Sequence, residues 1–140
     1  MNKRYLIEQC KRMELVDIDE NALFTSTNNE WWKNHNNGHK ILLEIFLDYI
    51  NKKSLLNKNE IKKWLRKRIH MAQEKITTLD LKYDLINNDI EMSIEDSYIY
   101  SISDGIICEA RTIIEIINKE RYISKKAYYQ TDWKSIGLIN

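Results

Sequence analysis

The side chains best suited to metal chemistry are two histidines, His35 and His39, which are four residues apart. On a continuous helix this interval places two imidazoles on one face, as many zinc sites require. Two asparagines and Gly38 lie between them, and these residues tolerate the left-handed backbone in which helices end. We therefore expect a helix end between the histidines, two solvated loop imidazoles, and no metal or other cofactor.

A second candidate for ion binding is the acidic stretch that begins at Asp84. Asp84 and Glu95 occupy the first and twelfth positions of a calcium-binding loop. Its third position is Ile86, which offers no oxygen ligand, and its sixth is Asp89, where such a loop needs glycine. We therefore predict that this stretch does not bind calcium.

The thiols and glycines exclude several classes of active site. Cys10 and Cys108 are far apart and form no Cys-x-x-Cys pair, so they indicate neither a disulfide framework nor a zinc ribbon. The three glycines are scattered, which excludes phosphate-cradling loops and the nucleophile elbow. The N-terminal segment lacks the apolar run of a signal peptide. We expect a cytoplasmic protein that is not an enzyme and does not enter the membrane.

Helical spacing of apolar residues dominates the elements that must position these side chains. It predicts a single all-α domain over residues 1–140, a compact bundle of five or six helices. A capping-box pattern at Thr27 introduces the Trp31-Trp32 pair. The predicted helices are 3–13, a short one between Thr27 and the asparagines before Gly38, 39–52, 58–76, 95–121, and a short one from 124, with 39–52 and 95–121 central.

Residues 78–94 allow two interpretations. Leu79, Leu81 and Tyr83 alternate with charged residues, and a similar alternation follows the polar stretch at 87–89, which is typical of a small β-hairpin. In the helical interpretation, Leu79, Tyr83 and Ile86 share one face instead. We favour the helix and keep the hairpin as the alternative.

The formal charge of +1 conceals two neighbouring stretches of opposite sign. Residues 52–75 carry nine basic side chains against two acidic ones, a local charge of +7. Residues 76–110 carry eight acidic side chains against one lysine, a local charge of −7. The simplest expectation is that the two stretches neutralise each other across a surface seam, where each exposed ion pair contributes about 0.2–1 kcal/mol.

Two binding interpretations compete with mutual neutralisation. A basic helix face can bind nucleic-acid phosphates with a steep dependence on salt. An acidic face flanked by tyrosines can dock on a basic protein, because its carboxylates steer association and its rings anchor the complex. The candidate nucleic-acid face consists of Lys58, Lys62, Lys63, Arg66 and Lys67. The candidate partner-binding face consists of Asp89, Glu91, Glu95, Asp96, Tyr98 and Tyr100.

A small motif-free chain rich in Ile, Asn and Lys, with its charge divided into two stretches, resembles bacterial immunity proteins. Those proteins neutralise contact-dependent or other polymorphic toxins. The resemblance implies stoichiometric inhibition of a cognate toxin, often a nuclease, by covering its active site or an adjacent surface. We therefore expect a non-catalytic inhibitor. A nucleic-acid-binding regulator is the first alternative, and a small enzyme with an unrecognised site is the second.

Overall fold

The fold is taken from a computed structural model that describes residues 2–12, 26–86 and 91–119. These residues form four α-helices and no strand, so the all-α prediction is confirmed. The number of helices is smaller than the predicted five or six. The short helix predicted from residue 124 lies outside the described residues. The helices are α1 (Lys3–Lys11), α2 (Ser26–Asn51), α3 (Lys58–Ile86) and α4 (Ile94–Lys119).

Helix α4 is the centre of the fold and packs against both α2 and α3. His35 of α2 contacts Asp104 of α4, and His39 contacts Glu109, so the two helices run in the same direction. Helix α3 runs in the opposite direction, because Lys62 near its start bonds Asn118 and Lys82 near its end bonds Asp96. Of the two segments predicted to be central, 95–121 corresponds to this middle helix and 39–52 to the second half of its partner α2.

The main apolar core lies where the C-terminal halves of α2 and α4 meet the start of α3. Trp64 faces inward, as its spacing predicts, and stacks on the Tyr49 ring with the ring centroids 4.7 Å apart. Helix α1 covers this core with Leu6 and Cys10. The fully buried apolar side chains from α2, α3 and α4 are Leu42, Phe46, Ile50, Ile61, Leu65, Ala110, Ile113 and Ile117.

Short polar side chains cap the N-termini of α3 and α4. The Asn57 side chain accepts a hydrogen bond from the Glu60 N–H, which begins α3 at the predicted position. The Ser93 hydroxyl accepts a hydrogen bond from the Asp96 N–H at the start of α4. The two caps therefore mark where α3 and α4 begin.

The predicted helix end at Gly38 is wrong, because α2 continues through it. Gly38 and Gly105 face each other, and the Cα of each lies 3.1–3.2 Å from where a Cβ on the other would stand. A Cβ on Gly38 would overlap the carbonyl oxygen of Ile102, and one on Gly105 would overlap that of His35. Glycine is present because α2 and α4 approach each other closely, not because a helix ends there.

The β-hairpin alternative for 78–94 is also wrong for the residues that the structure describes. Residues 79–86 belong to α3, and 91–93 form the link before α4. Leu79 is buried and Tyr83 is half-buried, as the helical interpretation predicts. Within the described ranges, no helix has both the length and the apolar character needed to cross a bilayer.

Candidate functional site

The continuity of α2 places His35 and His39 on one buried helix face. Their exposed fractions are 4% and 3%, so the prediction of two solvated loop histidines is wrong. The centroids of the two rings are 4.7 Å apart. Because both histidines belong to α2, their four-residue spacing places the two imidazoles next to each other.

Each histidine is bonded to a carboxylate of α4. His35 Nε2 lies 3.0 Å from Asp104 Oδ2, and His39 Nδ1 lies 2.9 Å from Glu109 Oε2. An ionised carboxylate only accepts hydrogen bonds, so each of these nitrogens donates when its carboxylate is ionised. Glu109 is almost completely buried, with 1% of its surface exposed. A buried carboxylate is costly unless it is bonded, and His39 supplies a bond.

Cys108 is the third chemically active residue at this position. It lies on α4 between the two carboxylates, is partly buried, and its Sγ is 4.0 Å from Asp104 Oδ2. One ligand atom from each of His35, His39 and Cys108 falls within 4.8 Å of the others. We call these three residues, together with Asp104 and Glu109, the His–Cys–carboxylate cluster.

Two tryptophans cover the outer side of the cluster. The Trp31 ring stacks on His35 with the ring centroids 5.2 Å apart and an angle of 20° between their planes. The edge of Trp32 approaches the same imidazole at 5.1 Å. Trp32 remains 38% exposed. The tryptophan pair therefore forms a wall between the buried imidazole and solvent.

The pKa of Cys10 on α1 is affected by the buried carboxylate of Glu109. Burial, together with the smaller effect of the negative charge of Glu109, raises the pKa of the Cys10 thiol from 9.0 to about 12. The thiol is therefore protonated at neutral pH.

Some residues of the predicted acidic face are exposed, and others contact α3. Glu91, Glu95 and Tyr98 are exposed, and the last two are three residues apart on α4. Ile94 lies among them with 87% of its surface exposed. We call these four residues the acidic end. Asp89, the remaining acidic residue of the predicted face, lies outside the described residues.

Asp96 and Tyr100 contribute to the contact between α3 and α4. Lys82 Nζ and the Tyr83 hydroxyl both donate to Asp96 Oδ2 at 2.7 Å, and the bond from Lys82 is the largest cause that lowers the pKa of Asp96. Tyr100 packs against the apolar contact between α3 and α4, and burial raises the pKa of its hydroxyl. Of the six residues predicted for this face, these two hold α3 and α4 together.

The predicted basic face forms a stripe near the start of α3, which we call the basic stripe. Lys63, Arg66 and Lys67 are exposed and make no ion pair with any residue in the described part of the chain. Lys62 donates to the Asn118 side chain at 3.1 Å. Lys58, the first residue of α3, is partly buried and already engaged with another group.

The acidic end and the basic stripe lie at opposite ends of the α3–α4 pair. Lys62 marks the basic stripe and Lys82, bonded to Asp96, marks the acidic end. Twenty residues of helix separate them, and at 1.5 Å per residue they are about 30 Å apart. That distance exceeds the screening length of about 8 Å at physiological ionic strength. The exposed charges of the acidic end and of the basic stripe are therefore too far apart to neutralise each other. Neutralisation between the other charges of the two stretches stays a prediction.

In comparisons with known proteins, no protein-family model, curated protein or solved structure matches the chain. Sequence reasoning missed two features of the sites. It dismissed the histidine pair because of Gly38, although the spacing was visible, and it did not identify Ile94 as exposed. Asp104 and Glu109 carried no local signal, because only the packing of α4 against α2 brings them to the imidazoles.

Proposed function

We propose that this protein is a non-catalytic inhibitor that binds a basic protein partner through its acidic end, and that the partner is a toxin neutralised in the cytoplasm. The observation that carries the proposal is the separation of the two charged surfaces along α3. Within residues 2–12, 26–86 and 91–119, Glu91 and Glu95 form no ion pair. An acidic surface of this kind attracts a positively charged partner.

The composition of the acidic end supports a protein partner over a small ligand. Ile94 is 87% exposed and Tyr98 is 50% exposed, with Glu91 and Glu95 beside them. Large apolar and aromatic side chains surrounded by charge are typical of interface anchors. A basic toxin surface, such as the substrate groove of a nuclease, has the complementary charge.

The experiment begins with the full chain as bait and identifies the captured protein by mass spectrometry. Association with that purified protein is then followed by stopped-flow fluorescence at low and high salt. We expect Glu91→Lys/Glu95→Lys to slow association at least about tenfold at low salt, and the difference to shrink as salt screens the charges. Tyr98→Ala should mainly accelerate dissociation.

Glu44→Lys is the matched control, because Glu44 is exposed on α2, level with the C-terminal half of α4. It should change the association rate less than about twofold, since steering depends on charge near the interface. Co-expression with the toxin should restore growth for the wild type and for the control. An unchanged association rate in the double variant, or a captured protein that is not inhibited, contradicts the proposal.

The basic stripe favours a second candidate function, nucleic-acid binding. Lys63, Arg66 and Lys67 project from one side of a rigid helix, as phosphate-binding residues do. Retardation of DNA or RNA that weakens with salt and disappears in Lys63→Glu/Lys67→Glu supports this function. The same charge reversal should leave capture of a toxin unaffected, so the two candidates are distinguished by one pair of variants.

A further inference from the structure

The proposed function does not use the His–Cys–carboxylate cluster, in which His35, His39 and Glu109 are buried. His35 and His39 come from α2, and Cys108 comes from α4, so two helices supply the three groups. Imidazole nitrogen and thiolate sulfur are the ligands that zinc and related transition metals prefer, whereas calcium and magnesium require oxygen. We propose that His35, His39 and Cys108 bind a divalent metal ion of the zinc class.

The spacing of the three ligand atoms is close to what such an ion needs. They lie within 4.8 Å of one another. Ligand atoms about 2.0–2.3 Å from zinc in a tetrahedral site stand about 3.5 Å apart. Closing the site requires these separations to shorten by about 1 Å.

The carboxylates are placed as the outer partners of ligand histidines. In metal sites, one ring nitrogen binds the metal and the other commonly bonds a carboxylate, which fixes the tautomer and the ring orientation. Asp104 and Glu109 hold one nitrogen of His35 and of His39 at 3.0 Å and 2.9 Å. The fourth position of a tetrahedral ion is then filled by solvent.

The close contact between Gly38 and Gly105 explains why the site forms at this position along α2 and α4. A side chain at either position would push α2 away from α4, since its Cβ would meet the opposing backbone. With glycine at both, the helices approach closely and the three ligands face one another across the contact. Trp31 and Trp32 beside His35 limit the access of water.

A simpler possibility is that the histidines and carboxylates only satisfy each other as buried polar pairs. That possibility gives Cys108 no part in metal binding, so the thiol distinguishes the two. Cobalt(II) is the suitable probe, because cobalt bound to a thiolate gives a charge-transfer absorption band that nitrogen and oxygen ligands do not produce.

The full chain is stripped with a chelator under reducing conditions and titrated with cobalt(II), followed by zinc(II). We expect a cobalt–thiolate band at one equivalent that zinc displaces. Cys108→Ser should abolish the band. Cys10→Ala is the matched control, and it should retain the band because Cys10 does not belong to the ligand group. Circular dichroism of each metal-free variant checks that it is folded.

Glu109→Gln tests the positioning role of the carboxylate separately. It should weaken zinc binding about 10–100-fold, as removal of an outer partner does, while the cobalt–thiolate band remains at saturating cobalt. The absence of a cobalt–thiolate band in the folded wild type overturns the proposal, as does a band that survives in Cys108→Ser. Loss of the band in Cys10→Ala with its retention in Cys108→Ser would assign the thiolate to the wrong cysteine and overturn it equally.

Discussion

The contact between α2 and α4 has two halves of opposite chemistry. Toward the C-terminal ends it is apolar, with Phe46 and Ile113 completely buried. Toward the N-terminal ends, polar and ionisable side chains are buried to the same degree, and two glycines face each other. The buried polar residues in this half are His35, Asn36, His39, Ser101, Ser103 and Glu109.

The difference separates the residues that stabilise the fold from the residues that prepare a site. Burial of apolar surface contributes about 25 cal/mol per Å² to stability. Burial of a charged group costs free energy that its hydrogen bonds only partly recover. A protein selected for stability alone would extend the apolar half along the whole contact, so the polar half agrees with the proposed metal site.

The largest effect is expected in the apolar half. Phe46→Ala should lower the free energy of unfolding by about 3–5 kcal/mol, because it removes a completely buried ring and leaves a cavity between α2, α3 and α4. Urea denaturation followed by circular dichroism measures the change. The neighbouring Ile45, 43% exposed on the same helix, is the control, and Ile45→Ala should cost less than about 1 kcal/mol. Equal losses for the two variants would contradict the location of the core.

The next largest effect is expected at the glycine contact. Gly38→Ala should destabilise the fold by about 2–3 kcal/mol, although alanine is the better helix former by about 1 kcal/mol, because the new Cβ overlaps the carbonyl oxygen of Ile102. Asn37→Ala, at an exposed neighbouring position, should change stability by less than about 0.5 kcal/mol. A more stable Gly38→Ala protein would show that the helices are farther apart than described.

The comparison is sharpened by making the polar half apolar. His39→Leu/Glu109→Met replaces a buried hydrogen-bonded pair with side chains of similar volume. We expect it to keep or increase stability by about 1–2 kcal/mol, because the desolvation cost of the pair disappears. The measurement uses metal-free protein, so that a bound ion does not contribute. If the double variant is instead strongly destabilised, the polar half contributes to stability and the separation of roles fails.

The sequence predicts well what depends on local chemistry. The amphipathic spacing of α3 and α4 depends on neighbouring residues, so the starts of both helices were predicted within a residue or two. The charge of each stretch was equally readable. The placement of the acidic end and the basic stripe at opposite ends of the α3–α4 pair depends on the antiparallel direction of these helices, which only the tertiary contacts establish.

The sequence misleads where a distant residue changes the meaning of a local signal. The asparagines and Gly38 favour a helix end by themselves, but Gly105, distant in sequence, makes the glycine a packing residue instead. Once the helix continues, His35 and His39 share a face and meet carboxylates of α4. One long-range contact therefore accounts for both the wrong helix boundary and the missed cluster.

The smallest effect is expected at Cys10, where the two halves meet. Cys10 packs in the apolar core, yet the charge of Glu109 helps raise the pKa of its thiol from 9.0 to about 12. In the unfolded chain the thiol ionises near its ordinary value, so unfolding becomes easier as the pH rises above about 9.

The stabilising contribution of the protonated Cys10 thiol is therefore complete below about pH 8 and declines toward pH 12. By pH 10 the wild type should lose about 1 kcal/mol relative to Cys10→Ala, which has no thiol to ionise. Urea denaturation of both proteins at pH 7.5 and pH 10 gives this difference and cancels the titration of the other groups. A difference that does not vary with pH would mean that Cys10 is solvated and that the apolar half ends before Glu109.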